Sequence, residues 1–104
     1  MSTEQVYLPT ALVVGQAKLT AGGTAQQLST SSLPLTLGLV VTAKSGNNAA
    51  GVTLGFTTAL TATADGTGNG YILAPGASVT LLVSNVNVVY FNGTTADILS
   101  YLGS

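Results

Sequence analysis

Glu4, Lys18, Lys44, Asp65 and Asp97 are the only charged side chains in this 104-residue sequence, which contains no Arg, His or Cys. General acid–base catalysis needs a histidine, or two carboxylates within reach of one another. Here each acid falls in or beside an expected turn or near the terminus, and no spacing brings two together. A serine nucleophile would need a base, and neither a His nor a Lys-bearing motif supplies one. The absence of Cys removes thiolate chemistry, disulfides and cysteine–metal sites. The residues point away from an enzyme and offer no cofactor or metal motif.

Two short stretches imitate chemistry. "DGTGNG", residues 65–70, begins like a calcium loop, with Asp65, Thr67 and Asn69 as oxygen ligands. The twelfth position, where a bidentate Glu belongs, is Gly76. No Lys follows its glycines and no helix is expected there, so it is not a phosphate cradle either. The stretch reads as a surface turn. Asn92-Gly93-Thr94 matches a glycosylation acceptor, but Asn-Gly is also a strong two-residue hairpin signal. The start of the chain lacks the basic and apolar regions of a signal peptide, so no export is expected from it.

Composition bounds the partners. Charged residues make up 5% of the chain and the net charge is −1, against roughly 25% charged in ordinary soluble proteins. There is no basic patch to displace counterions from phosphates, which argues against nucleic acid. Mean hydropathy is +0.54, yet the densest runs, "ALVV" at 11–14 and "LGLVV" at 37–41, fall far short of the ~20 apolar residues a spanning helix needs. No membrane is expected. A folded chain of this mass should expose on the order of 5,400 Å². Covering that area with so few ions is easier if part of it rests against other subunits. Assembly is the expectation.

The elements that must carry this surface are strands. In "LPLTLGLVVTAK", Leu35, Leu37, Leu39, Val41 and Ala43 share one face, and Thr36, Gly38, Val40, Thr42 and Lys44 the other. "SGNNAAG" at 45–51 is a turn, and "VTLGF" follows with Val52, Leu54 and Phe56 inward. Residues 57–70 start strand-like and end as a loop, before a short strand at Tyr71, Ile72 and Leu73. Ala74-Pro75-Gly76-Ala77 suits a type II turn. Val79, Leu81 and Val83 alternate beyond it, Asn85 bends the chain, and Val86, Val88 and Tyr90 define the next face. "DILSYL", 97–102, is the last strand, and "AGGTAQQLS", 21–29, is an earlier turn and strand. The sum is an all-β chain. It predicts a single antiparallel β-sandwich or jelly-roll-like domain of six to eight short strands over residues 19–104.

Residues 1–18 differ. Their apolar pattern is broken by Pro9, which removes a ladder donor. They form either the first strand of the sandwich or an extended arm that docks on a neighbouring subunit. Val6, Tyr7, Leu8, Leu12, Val13 and Val14 are the candidate assembly interface.

The order of pieces from Leu19 to Leu102 resembles that of the head-decoration (cement) proteins of tailed bacteriophages. "LTAGGTAQQLS" is similar to that family's opening turn and strand, and "VVTAKSGNNAAGVTLG" to its central hairpin. "YILAPGASVTLLVSNVNVVYFNGTTADILSYL" resembles its closing run. The resemblance implies a virion structural protein, made in the host cytoplasm and placed on the capsid surface. Its partners would be the major capsid protein of the shell and copies of itself, as a trimer. It brings no catalytic residues. Two other roles stay open: a tail, baseplate or fibre-base domain, and a carbohydrate-binding module using clustered tyrosines such as Tyr90 and Tyr101.

Overall fold

The computed structural model describes residues 12–104. Eight strands form two four-stranded antiparallel sheets. They are β1 (Val13–Lys18), β2 (Gln26–Gln27), β3 (Leu39–Ala43), β4 (Val52–Gly55), β5 (Tyr71–Leu73), β6 (Ser78–Leu81), β7 (Tyr90–Asn92) and β8 (Ile98–Gly103). Sheet A has the order β1-β8-β3-β6 and sheet B the order β2-β7-β4-β5. The pairings β1·β8, β2·β7, β3·β6 and β4·β5 are those of one long hairpin with its two halves side by side. Rolled up, that ribbon closes on itself through β8·β3 in sheet A and β7·β4 in sheet B. The all-β sandwich read from the sequence is what forms.

Two-residue alternation decides which side chains meet between the sheets. Leu39, Val41 and Ala43 of β3 and Leu99 and Tyr101 of β8 are buried from sheet A. Val52, Leu54, Leu73 and Phe91 oppose them from sheet B, with Leu19, Leu28, Val86 and Val89 filling the ends. Gly15 of β1 has a steric role. A Cβ there would lie 2.6 Å from the Tyr101 hydroxyl, so the glycine lets that ring lie across the strand.

The connections are held by side-chain amides and turns. Ala77 N–H donates to Ala74 O at 2.9 Å with Gly76 at φ +82°, the type II turn expected there. It carries the chain from sheet B to sheet A. Asn85 caps a 3-10 turn, Val86–Val88, and its Oδ1 accepts the N–H groups of Asn87 (3.1 Å) and Leu33 (2.9 Å).

Four local expectations are corrected. The 3-10 turn advances the chain so that Val86, Val89 and Phe91 face the core, while Val88 faces out. Leu37 is exposed because the strand begins only after Gly38, whose φ of +128° breaks the extended run. Phe56 lies past the end of β4 and is exposed, and residues 57–60 form no strand. Asn92-Gly93 is not a hairpin turn, since β7 belongs to sheet B and β8 to sheet A. Residues 93–97 instead make a corner between sheets, with Asp97 N–H donating to Thr94 O at 3.0 Å and Ala96 at φ +77°.

Candidate functional site

The two described acids, Asp65 and Asp97, are placed apart. Asp97 is buried at the β7–β8 corner, where its carboxylate accepts the N–H groups of Asn48 (3.0 Å) and Thr94 (2.9 Å). It pins the 45–51 turn to the corner. Asp65 lies on the β4–β5 loop and accepts the Thr67 hydroxyl (2.6 Å) and the Thr67 N–H (3.0 Å). Asn69 turns elsewhere, accepting from Thr61 N–H and donating to Ala59 O. The three oxygen residues of the calcium-like stretch thus bind their own loop rather than converge. Among the described residues no group of three or more His, Cys, Asp or Glu could hold a metal ion, and no helix is long and apolar enough to cross a membrane.

The Thr67 hydroxyl, followed by its backbone N–H, holds the Asp65 carboxyl below its ordinary value of 3.8. A depressed folded-state value means that the charged form favours folding above the ordinary value, and the benefit disappears as pH falls through the depressed one. Asp65 is fully exposed, so the effect is small. Thermal midpoints of wild type and Asp65→Asn should differ slightly at pH 6 and converge as pH drops below the carboxylate range. A gap that widened on acidification would contradict this assignment.

The two broad faces of the sandwich differ in access. Thr53 and Asn92 point away from the core on sheet B, yet both are fully buried. The 57–70 loop lies over them: Leu60 is buried, Thr53 Oγ1 donates to Thr61 O at 2.6 Å, and Asn92 Nδ2 donates to Leu60 O at 2.9 Å. Sheet B is covered there by its own chain.

The outer face of sheet A is open and its side chains fall in rows. The first row across β1, β8, β3 and β6 is Val14, Leu102, Val40 and Thr80. The second is Gln16, Ser100, Thr42 and Ser78, in which Thr42 and Ser78 hydroxyls lie 2.7 Å apart. In the third, Lys18 pairs with Ile98, and Lys44 N–H donates to Ile98 O on the other side. The face therefore grades from apolar through hydroxyl to cationic. A shallow groove runs over its first two rows between Val14, Val40, Thr42, Ser100 and Leu102. At the apolar end, Leu12 (69% exposed) precedes β1 and Leu82 (85% exposed) follows β6 beside Leu37.

Of the residues expected at an interface, Leu12 and Val14 (73% exposed) lie on this surface. Val13 turns inward and packs against the core. Val6, Tyr7 and Leu8 lie outside the described residues. Val40, Leu82 and Leu102 belong to the same surface and were missed. Val40 gave a signal, as an apolar residue on the otherwise polar side of its strand.

Tyr90 and Tyr101 lie in opposite sheets, and Tyr101 is buried, so they form no joint platform. Among the described residues the exposed aromatics are Phe56 and Tyr71, at one end of the β4–β5 pair. No family model, curated protein or solved structure matches this chain.

Proposed function

We propose that this protein is a virion structural protein, a head-decoration (cement) protein of a tailed phage that stabilises the shell by packing against neighbouring subunits. The observation that carries the reading is the asymmetry of the sandwich. One broad face is covered by its own loop, while the other presents apolar and hydroxyl side chains. Exposed apolar side chains grouped in this way suit permanent neighbours better than water. We read the strand order β1-β8-β3-β6 and β2-β7-β4-β5 as jelly-roll-like, an architecture used by viral capsid domains. That support is analogy of fold, and weaker than the surface itself.

The mechanism is mass action. A protein that binds the assembled shell and not free subunits stabilises each occupied site by about 2.7 kcal/mol when its concentration is 100 times Kd. Its chemistry is burial, which explains a surface so short of ions. We assign the shell-facing contact to the apolar end of the molecule, where Leu37 and Leu82 are exposed together.

Co-expression with the major capsid protein of the same genome tests this. The protein should sediment with assembled shells and raise their disruption temperature, and Leu82→Lys should weaken shell binding at least tenfold while keeping the β-sheet spectrum. Failure to co-sediment would sink the head reading. Specific retention on tail or baseplate particles would move the protein there.

A carbohydrate-binding role is the second reading. Jelly rolls also serve as lectin domains, and Phe56 with Tyr71 offers exposed rings. It requires saccharide binding that disappears in Tyr71→Ala.

A further inference from the structure

We propose that Asn69 is a modification site, where spontaneous deamidation to an isoaspartyl linkage through Gly70 releases the loop that covers sheet B. This modification is independent of shell binding and of assembly.

An asparagine amide is lost when the backbone nitrogen of the next residue attacks its Cγ. Hydroxide takes the proton of that N–H, the N–Cγ bond forms, the Cγ–Nδ2 bond breaks and ammonia leaves. Water then opens the cyclic imide at either carbonyl. One opening gives an ordinary aspartyl linkage. The other gives an isoaspartyl linkage, in which the main chain runs through the former side chain and is one methylene longer. A side chain on the following residue obstructs the attack, so glycine is the reactive neighbour. Asn47, Asn48, Asn85 and Asn87 precede Asn, Ala or Val, whereas Asn69 and Asn92 precede glycine.

The fold separates those two. Asn92 is fully buried and bonds Gly23 N–H, Gly93 N–H and Leu60 O. The cover of sheet B must open before hydroxide and water can reach it. Asn69 is exposed on the 57–70 loop. Its Oδ1 accepts the Thr61 N–H (2.9 Å) and hydroxyl (3.3 Å), and its Nδ2 donates to Ala59 O (3.1 Å). Bonds this exposed are replaced by water at little cost. Asp65-Gly66 lies on the same loop and could close the same imide. There the Thr67 hydroxyl and N–H favour the ionised carboxylate, a poor target for a nucleophile.

Packing keeps the reactive pair together. A Cβ on residue 70 would lie 2.5 Å from Leu60 Cδ1, 2.9 Å from Thr53 Cβ and 3.1 Å from Leu54 O. Glycine is what fits between the loop and β4, and β5 starts at the next residue. The same tight seat makes the isoaspartyl product disruptive. An extra methylene just before Gly70 must shift either β5 or the loop. β5 is held by its ladder to β4, so the loop yields, having also lost the Asn69 donor to Ala59 O. Its shift withdraws Leu60 O from Asn92 and Thr61 O from Thr53, and the outer face of sheet B is uncovered.

The test is incubation of the full-length protein at pH 8.5 and 37 °C, followed by peptide mapping and amide exchange on the aged fraction. Acid should appear at position 69 at least tenfold faster than at position 92, mostly as isoaspartate. In urea, where both dipeptides are exposed, the two rates should converge. Amides of residues 57–64 should exchange at least tenfold faster in the aged fraction than in fresh protein, while β3 and β8 keep their protection. Asn69→Gln, whose longer side chain closes the imide far more slowly, should neither gain acid nor lose protection in that loop. Freshly prepared Asn69→Asp should exchange like fresh wild type, because it carries the charge without the added methylene. Equal native rates at 69 and 92, or an aged loop that exchanges like the fresh one, would overturn the inference. So would fresh Asn69→Asp matching the aged fraction, since the charge alone would then open the loop.

Discussion

Asn92→Ala should lower the thermal midpoint by more than about 12 °C, the largest effect expected of any single amide in the molecule. Asn92 is fully buried, and its Oδ1 accepts the N–H groups of Gly23 (3.0 Å) and Gly93 (2.8 Å). Its Nδ2 donates to Leu60 O at 2.9 Å. One side chain therefore ties the 19–25 loop, the covering loop of sheet B and the corner into β8. Truncation leaves Leu60 O and Gly93 N–H without these partners beneath the loop, at about 1–3 kcal/mol for each unsatisfied group. Gly23 N–H keeps a 3.2 Å bond to Gly93 O, so it adds less. A total near 3 kcal/mol corresponds to about 12–24 °C for a domain of this size. Asn69→Ala is the control. Asn69 also bonds backbone groups, but it is exposed, and its loss should cost under about 1 kcal/mol. Equal effects of the two substitutions in calorimetry would show that burial of Asn92 is not what matters.

Gly15→Val should detach β1 from sheet A. The added Cβ alone would sit 2.6 Å from the Tyr101 hydroxyl and 2.7 Å from its Cζ. Tyr101 is a buried member of central β8 and cannot swing aside without disturbing the core. Overpacking of this kind costs about 1–3 kcal/mol. Edge strand β1 yields more easily, since it has β8 as its only partner among the described residues. Amide exchange over Val13–Lys18 should therefore approach unprotected rates while β3, β4 and β7 stay protected. Removing the obstacle should help: Gly15→Val with Tyr101→Val should be at least about 1 kcal/mol more stable than the two separate costs imply. Strictly additive costs would show that the ring and the strand do not compete for space.

Strands were legible in the sequence where burial follows a strict two-residue period. Leu39, Val41 and Ala43 show it, as do Val79 and Leu81. The type II turn at Pro75-Gly76 was legible because its geometry depends on those two residues alone. Corners were not. Asn92-Gly93 carries a hairpin signature, and only the loop folded over Asn92 makes it a buried tether. Val88 and Val89 exchanged roles because a 3-10 turn shifts the facing by one residue, and Asn85 announces a bend without stating its kind. The candidate surface was half legible. Leu12 and Val14 stood in an apolar run, whereas Leu102 closed a terminal strand whose facing was left unassigned. Which sheet is covered depends on where residues 57–70 settle, a tertiary fact with no local signature.

β8 is the last of the eight strands among the described residues and yet sits inside sheet A, between β1 and β3. A ribosome therefore releases β1 early, some eighty residues before its only partner among the described residues exists. Sheet A cannot be assembled in the order of synthesis, and the nascent chain must hold its apolar strands apart until the ribbon can roll up at once. A translation product that stops before Ile98 would have neither sheet A joined nor Tyr101 to rest against Gly15. It would expose the facing edges of β1 and β3 to any other strand, including those of its siblings. Synthesis of β8 is thus the step on which sheet A depends, and products truncated before it should aggregate through those open edges.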